Sequence, residues 1–91
     1  MPRVGQSRCR DANEKAISQA LHRIGVQTFA ISIPGLGDLL CWRQDTGWKM
    51  LEIKTARGRL TTTQHETHRL VPIDVVRTID EAIALFHVIS R

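Results

Sequence analysis

The segment from Asp38 to Thr55 constrains this chain most. Two apolar, strand-like runs, DLLCWR (38–43) and WKMLEIKT (48–55), flank Asp45-Thr46-Gly47. Aspartate and glycine at that spacing signal a tight antiparallel hairpin with the glycine in the left-handed position. A lone hairpin is marginal in water, so the rest of the chain must supply strands or helices to cover it. The second run also carries two charges. Glu52 and Lys54 interrupt what is otherwise a buried-strand pattern, and strand alternation puts both on one face with Ile53 on the other. With Asp45-Thr46-Gly47 as the loop, Gln44 falls opposite Trp48 and Asp38 opposite Lys54, so Asp38 joins the same face. A loop one residue longer would turn Asp38 to the other face, unless a bulge restored it.

Periodicity and punctuation set the flanking elements. Residues 11–24, DANEKAISQALHRI, place Ala16, Ile17, Ala20, Leu21 and Ile24 at helical spacing, with Asp11 as N-cap and Gly25 as stop. QTFAISI (27–33) alternates as a strand, and Pro34-Gly35-Leu36-Gly37 is a turn. After the basic turn Arg57-Gly58-Arg59, Thr61 and Gln64 form a capping box for a polar helix reaching about Leu70, which Pro72 ends. IDVVR (73–77) is a short strand. Thr78 with Glu81 opens a last amphipathic helix over Ile79, Ala82, Ile83 and Phe86. The order α-β-β-β-α-β-α predicts an α/β fold: a three-stranded meander, then a helical crossover to a fourth strand, making a mixed four-stranded sheet flanked by helices.

Ninety-one residues hold one domain. We expect a basic N-terminal tail over residues 1–10, disordered or laid on a ligand, and a single domain over 11–91. No apolar run approaches the ~20 residues that span a bilayer, and none follows the basic N-terminus as a signal peptide requires. A cytoplasmic protein without membrane partners is the expectation. Cys9 and Cys41 are too few for a disulfide framework and lack CxxC spacing, so both are expected as reduced thiols. The net charge is +4, and ten of the thirteen basic residues are Arg, the side chain best suited to bidentate phosphate contacts. A nucleic acid is the partner such a balance favours, although a small protein can carry surplus charge for solubility alone.

Two carboxylates on one strand face repel unless a cation lies between them. Asp38 and Glu52 are hard oxygen ligands that suit Mg²⁺ or Mn²⁺ with waters completing the shell. Such an ion can polarise a phosphoryl oxygen and supply hydroxide, and the Lys54 ammonium can orient that water or stabilise phosphate charge. The spacing is equally compatible with a Glu52–Lys54 ion pair and Asp38 capping a turn.

The stretch GLGDLLCW…WKMLEIKTARGRLTTTQ resembles the PD-(D/E)XK nuclease superfamily, and within it the small VRR-NUC (virus-type replication-repair nuclease) branch. The resemblance runs over nearly the whole chain, to the closing VVRTIDEAIALF. It implies a restriction-endonuclease-like core. Asp38 stands where the family has an Asp after a turn, and Glu52-Ile53-Lys54 where it has (D/E)-x-K. The resemblance implies that Asp38, Glu52 and the backbone carbonyl of Ile53 bind the metal and that Lys54 acts on the nucleophilic water. Gly58-Arg59-Leu60-Thr61-Thr62-Thr63-Gln64 fits the segment that brings a helix-borne Gln to the site, and Glu14 matches a first-helix Glu that could serve a second metal. Two positions depart from the pattern: Gly37 replaces the usual Pro before the Asp, and His68 stands where some relatives have Tyr.

Several neighbours carry more than one reading. Glu14 can complete a capping box with Asp11, and Gln64 with Thr61. Arg57, Gly58 and Arg59 before a helix N-terminus make a phosphate-binding corner or merely a solvated turn. Arg3, Arg8 and Arg10 could track a nucleic-acid backbone. His65 and His68 lack further zinc ligands nearby, and His22 and His87 are expected on helix surfaces. Trp42, Trp48 and Met50 share the face of Asp38, Glu52 and Lys54, and are expected to pack the core, with base stacking as a lesser role.

Taken together, the expectation is a Mg²⁺-dependent DNA endonuclease, Mn²⁺ substituting, that hydrolyses phosphodiesters. It would be selective for junctions or branches rather than sequence, and homodimeric. It would act in a bacterial or virus-infected cell. The alternatives are a DNA-binding module without turnover, a nuclease subunit that needs a helicase partner, and an RNA nuclease.

Overall fold

The computed structural model of the chain describes residues 4–31, 33 and 35–87, with side chains from residue 12 onward. The elements are α1 (Val4–Arg23), β1 (Gln27–Ala30), β2 (Leu39–Arg43), β3 (Gly47–Ile53), α2 (Thr62–Leu70), β4 (Ile73–Val76) and α3 (Ile79–Leu85). They form an α/β fold with one four-stranded mixed sheet, order β1-β2-β3-β4. The first three strands pair antiparallel, and β4 pairs parallel to β3 after the α2 crossover.

Ile17 and Leu21 bring the apolar stripe of α1 into the core. The helix ends in a Schellman arrangement: Gly25, at φ +84°, donates its N–H to His22 O, and Val26 donates to Leu21 O. Leu21 and Val26 are both buried, so the motif turns the chain and closes the core in one step. At its other end α1 differs from expectation. It begins at Val4, so Asp11 lies inside the helix rather than capping it. VGQSRCR has no proline, and its one poor helix former, Gly5, falls in the first turn, so upstream residues continue the helical path and Asp11 is not needed as a cap.

Alternation divides the sheet. Leu39 and Cys41 of β2, Leu51 and Ile53 of β3, and Val76 of β4 pack with α1 and with Ala82 and Phe86 near α3. The opposite face carries Trp42, Trp48, Met50 and Glu52. The expectation that Trp42 and Trp48 pack the core is overturned: they are 37% and 59% exposed. Both core helices lie on the other face, and α2 contributes no buried residue. Cys41 is a free, buried thiol whose pKa burial pushes up to about 12, so it is inert. Among the described residues no helix is long and apolar enough to cross a membrane.

Candidate active site

The site forms where β2 begins and β3 ends. The hairpin pairs Arg43 with Gly47 and Leu39 with Leu51, leaving Gln44, Asp45 and Thr46 as the loop. The expected loop was one residue further on, and the expected pairing of Asp38 with Lys54 is displaced accordingly. The slip amounts to two in register, which preserves every side chain's face. Gly47 keeps the expected left-handed conformation at φ +81° but serves as the first strand residue.

Below Leu39 the ladder changes character. Asp38 donates its N–H to Leu51 O at 2.7 Å, and its carbonyl accepts from Ile31 N–H at 3.0 Å. Its carboxylate Oδ2, in place of a backbone carbonyl, accepts the Ile53 N–H at 2.7 Å. Asp38 is therefore held by the strand ends themselves. The residue before it, Gly37, sits at φ +143°, where a Cβ would lie 2.9 Å from Met50 Cγ and 3.1 Å from Leu51 O. Proline, locked near φ −65°, cannot take this conformation, which accounts for glycine at this place.

Glu52 is 3% exposed. Its Oε2 accepts a hydrogen bond from Gln64 Nε2 at 3.1 Å and lies 3.7 Å from Lys54 Nζ. Burial raises the Glu52 carboxyl from 4.5 to about 7. The charge of Asp38, and a hydrogen bond with it, push the same way, while Lys54 pulls it down. Two carboxyl groups thus meet in a poorly solvated corner with one ammonium beside them, an arrangement that favours either a shared proton or a bound cation.

Gln64 makes the capping-box contact and the contact toward the site at once. Its Oε1 accepts the Thr61 N–H at 2.8 Å while Thr61 Oγ1 accepts the Gln64 N–H, completing the capping box. That bond fixes the amide so that Nε2 points to Glu52. One turn on, His68 has a buried Nε2 with no hydrogen-bond partner among the described residues. Burial, then the charges of His65 and Lys54, hold its pKa below 6.5.

The basic turn lies against Lys54: a Cβ on Gly58 would be 3.3 Å from Lys54 Cβ and Cδ. Arg57 and Arg59 are exposed on either side. Arg77 Nη2 donates to Gly58 O at 2.6 Å and anchors the turn. Asn13 Nδ2 donates to Lys54 O at 3.2 Å and Arg77 O at 3.3 Å, tying α1 to the ends of β3 and β4. Sequence reasoning missed Asn13 and Arg77, whose partners are distant in the chain. The polar character of Asn13 on an otherwise core-facing helix was the available signal.

Glu14 lines a groove between α1 and the β1–β2 edge with Ser18, His22, Thr28 and Leu39. Among the described residues no group of three or more His, Cys, Asp or Glu forms a ligand cluster, so Glu14 does not complete one with Asp38 and Glu52. The side chains of Arg8 and Arg10 lie outside the described residues, as does Arg3. The two carboxylates that do meet, Asp38 and Glu52, are hard oxygen donors of the type that suits a divalent ion such as Mg²⁺, which keeps several of its waters. No family model, curated protein or solved structure matches the chain.

Proposed function

We propose that this chain is a Mg²⁺- or Mn²⁺-dependent DNA endonuclease of the PD-(D/E)XK type, with the restriction-endonuclease-like core that its element order resembles and a likeness to the VRR-NUC branch. One observation carries the reading: Asp38 and the buried Glu52 meet at the end of the hairpin with Lys54 3.7 Å from Glu52. Asp38 caps the Ile53 N–H and is at the same time held against Glu52, a second contact that neither that cap nor the Glu52–Lys54 ion pair requires.

A bound Mg²⁺ would supply Lewis-acid polarisation of the phosphoryl oxygen and make the water bound to it more acidic. Asp38, Glu52 and the Ile53 carbonyl would hold it. Gln64 orients Glu52 through its fixed amide. Lys54 would hydrogen-bond the attacking water, whose proton passes to solvent, and would offset negative charge gathering on phosphorus, while the 3′-oxygen leaves and takes its proton from a second water. Arg57 and Arg59 bind the flanking phosphates without reading sequence. Among the described residues no element stands outside the seven of the fold as a separate reading head, which favours selection by DNA structure. A homodimer would present two such sites to two strands.

Cleavage of single-stranded, duplex, flapped, four-way-junction and supercoiled DNA, in Mg²⁺, Mn²⁺ or EDTA, tests this. Metal-dependent cutting by the parent that Lys54→Ala abolishes is the expected result. Binding without cutting would leave a DNA-binding module or a partner-dependent subunit. Cutting that survives Lys54→Ala would overturn the site.

A further inference from the structure

The face of the sheet that carries the carboxylates continues into an uncovered aromatic surface. Phe29 is 50% exposed, Trp42 37% and Trp48 59%. Trp48 neighbours both others, its ring centroid 5.1 Å from Trp42 and 6.4 Å from Phe29, with the rings tilted. Along β3 the positions Trp48, Met50, Glu52 point to this one face, so Trp48 lies about 13 Å from Glu52, a span of a few nucleotides.

We propose that Trp48, with Trp42 and Phe29, is a stacking platform for unpaired bases of the DNA strand whose phosphate lies at Asp38 and Glu52. The inference rests on the nuclease reading and adds its substrate class: DNA with unpaired nucleotides near the scissile phosphate, as at a flap, fork or open branch point. Three features favour this occupant. The platform continues directly from the phosphate site. The chain carries a net charge of +4 with Arg57 and Arg59 beside that site, which suits a polyanion. The three rings, about half exposed, offer about 300 Å² of apolar surface against the roughly 800 Å² per partner of a stable protein interface. That is ample for bases and small for a second copy. Bases inside a duplex present only their edges, so the platform discriminates for unpaired ones.

The chain has two tryptophans, Trp42 and Trp48, and no tyrosine, so its intrinsic fluorescence arises wholly in this patch. Titrating the full chain in EDTA with a short oligothymidylate, and separately with a blunt duplex, reads the platform without cleavage. The expected result is saturable quenching by the single strand and little by the duplex. Trp48→Ala should weaken single-strand binding about tenfold, and Trp48→Phe should restore most of it. Circular dichroism of both variants checks that the fold is kept. Single-strand binding that neither quenches nor responds to Trp48→Ala overturns the platform, as does failure to bind the oligothymidylate. Emission that shifts with protein concentration alone, with a dimer mass that Trp48→Ala halves, would assign the face to a second copy and also overturn it. Metal-dependent cleavage, measured apart, decides the nuclease reading whichever way these results fall.

Discussion

Glu52 is the residue at which chemistry and stability pull apart. Burial favours its neutral carboxyl, so between pH 4.5 and about 7 the folded chain holds a proton that the unfolded chain has lost. Stability from this group is therefore greatest below pH 4.5, falls as pH rises to about 7, and then levels off. Glu52→Gln should abolish this decline and melt higher than the parent at pH 8 in EDTA, by thermal denaturation across a pH series. His68 acts in the opposite sense: its lowered pKa means stability is lost as pH falls below 6.5, and His68→Gln should flatten that limb. Because a cation needs Glu52 ionised, metal binding should release a proton near pH 7 and tighten as pH rises. Calorimetry of Mg²⁺ or Mn²⁺ binding in buffers of different ionisation enthalpy reads this directly, and Glu52→Gln should remove it. Gly37→Ala forces a Cβ against Met50 and Leu51 O at a positive φ and should destabilise by about 1–3 kcal/mol in denaturant unfolding.

Among the elements, α2 is held most weakly. It buries no residue, and its described ties to the rest of the fold are the Gln64–Glu52 bond and the packing of Gly35 against Thr63 and Thr67. It should exchange its amide protons before α1 in native-state hydrogen exchange. Thr61→Ala, losing the cap, should cost about 1 kcal/mol. The existence and order of the elements could be read from the sequence because glycine, proline and capping residues punctuate this chain densely. The hairpin register could not, since Gln44-Asp45-Thr46 and Asp45-Thr46-Gly47 are both three-residue loops with acceptable turn chemistry. The face of Asp38 survived that uncertainty because a slip of two keeps parity. The start of α1 was obscured by Asp11, which looks like a cap but sits mid-helix.

At the scale of the molecule, the sheet is covered by its core helices on one face. Alternation assigned Trp42, Trp48 and Met50 correctly to one side, yet which side the helices would choose depends on packing between distant segments and was not legible. Asn13 and Arg77 escaped notice for the same reason. DNA binding should weaken steeply with salt, and Arg57→Ala or Arg59→Ala should each reduce the slope of log K against log salt by about one. Fluorescence anisotropy across a salt series measures it. The hydrogen bond from Ile53 N–H to Asp38 separates the two acidic residues in a way that matters for the lineage of such a chain. Asp38 closes the hairpin mouth, so its loss weakens the fold, whereas loss of the Glu52 charge relieves it. A descendant released from selection for activity would surrender Glu52 early and keep Asp38 long after its chemistry had gone.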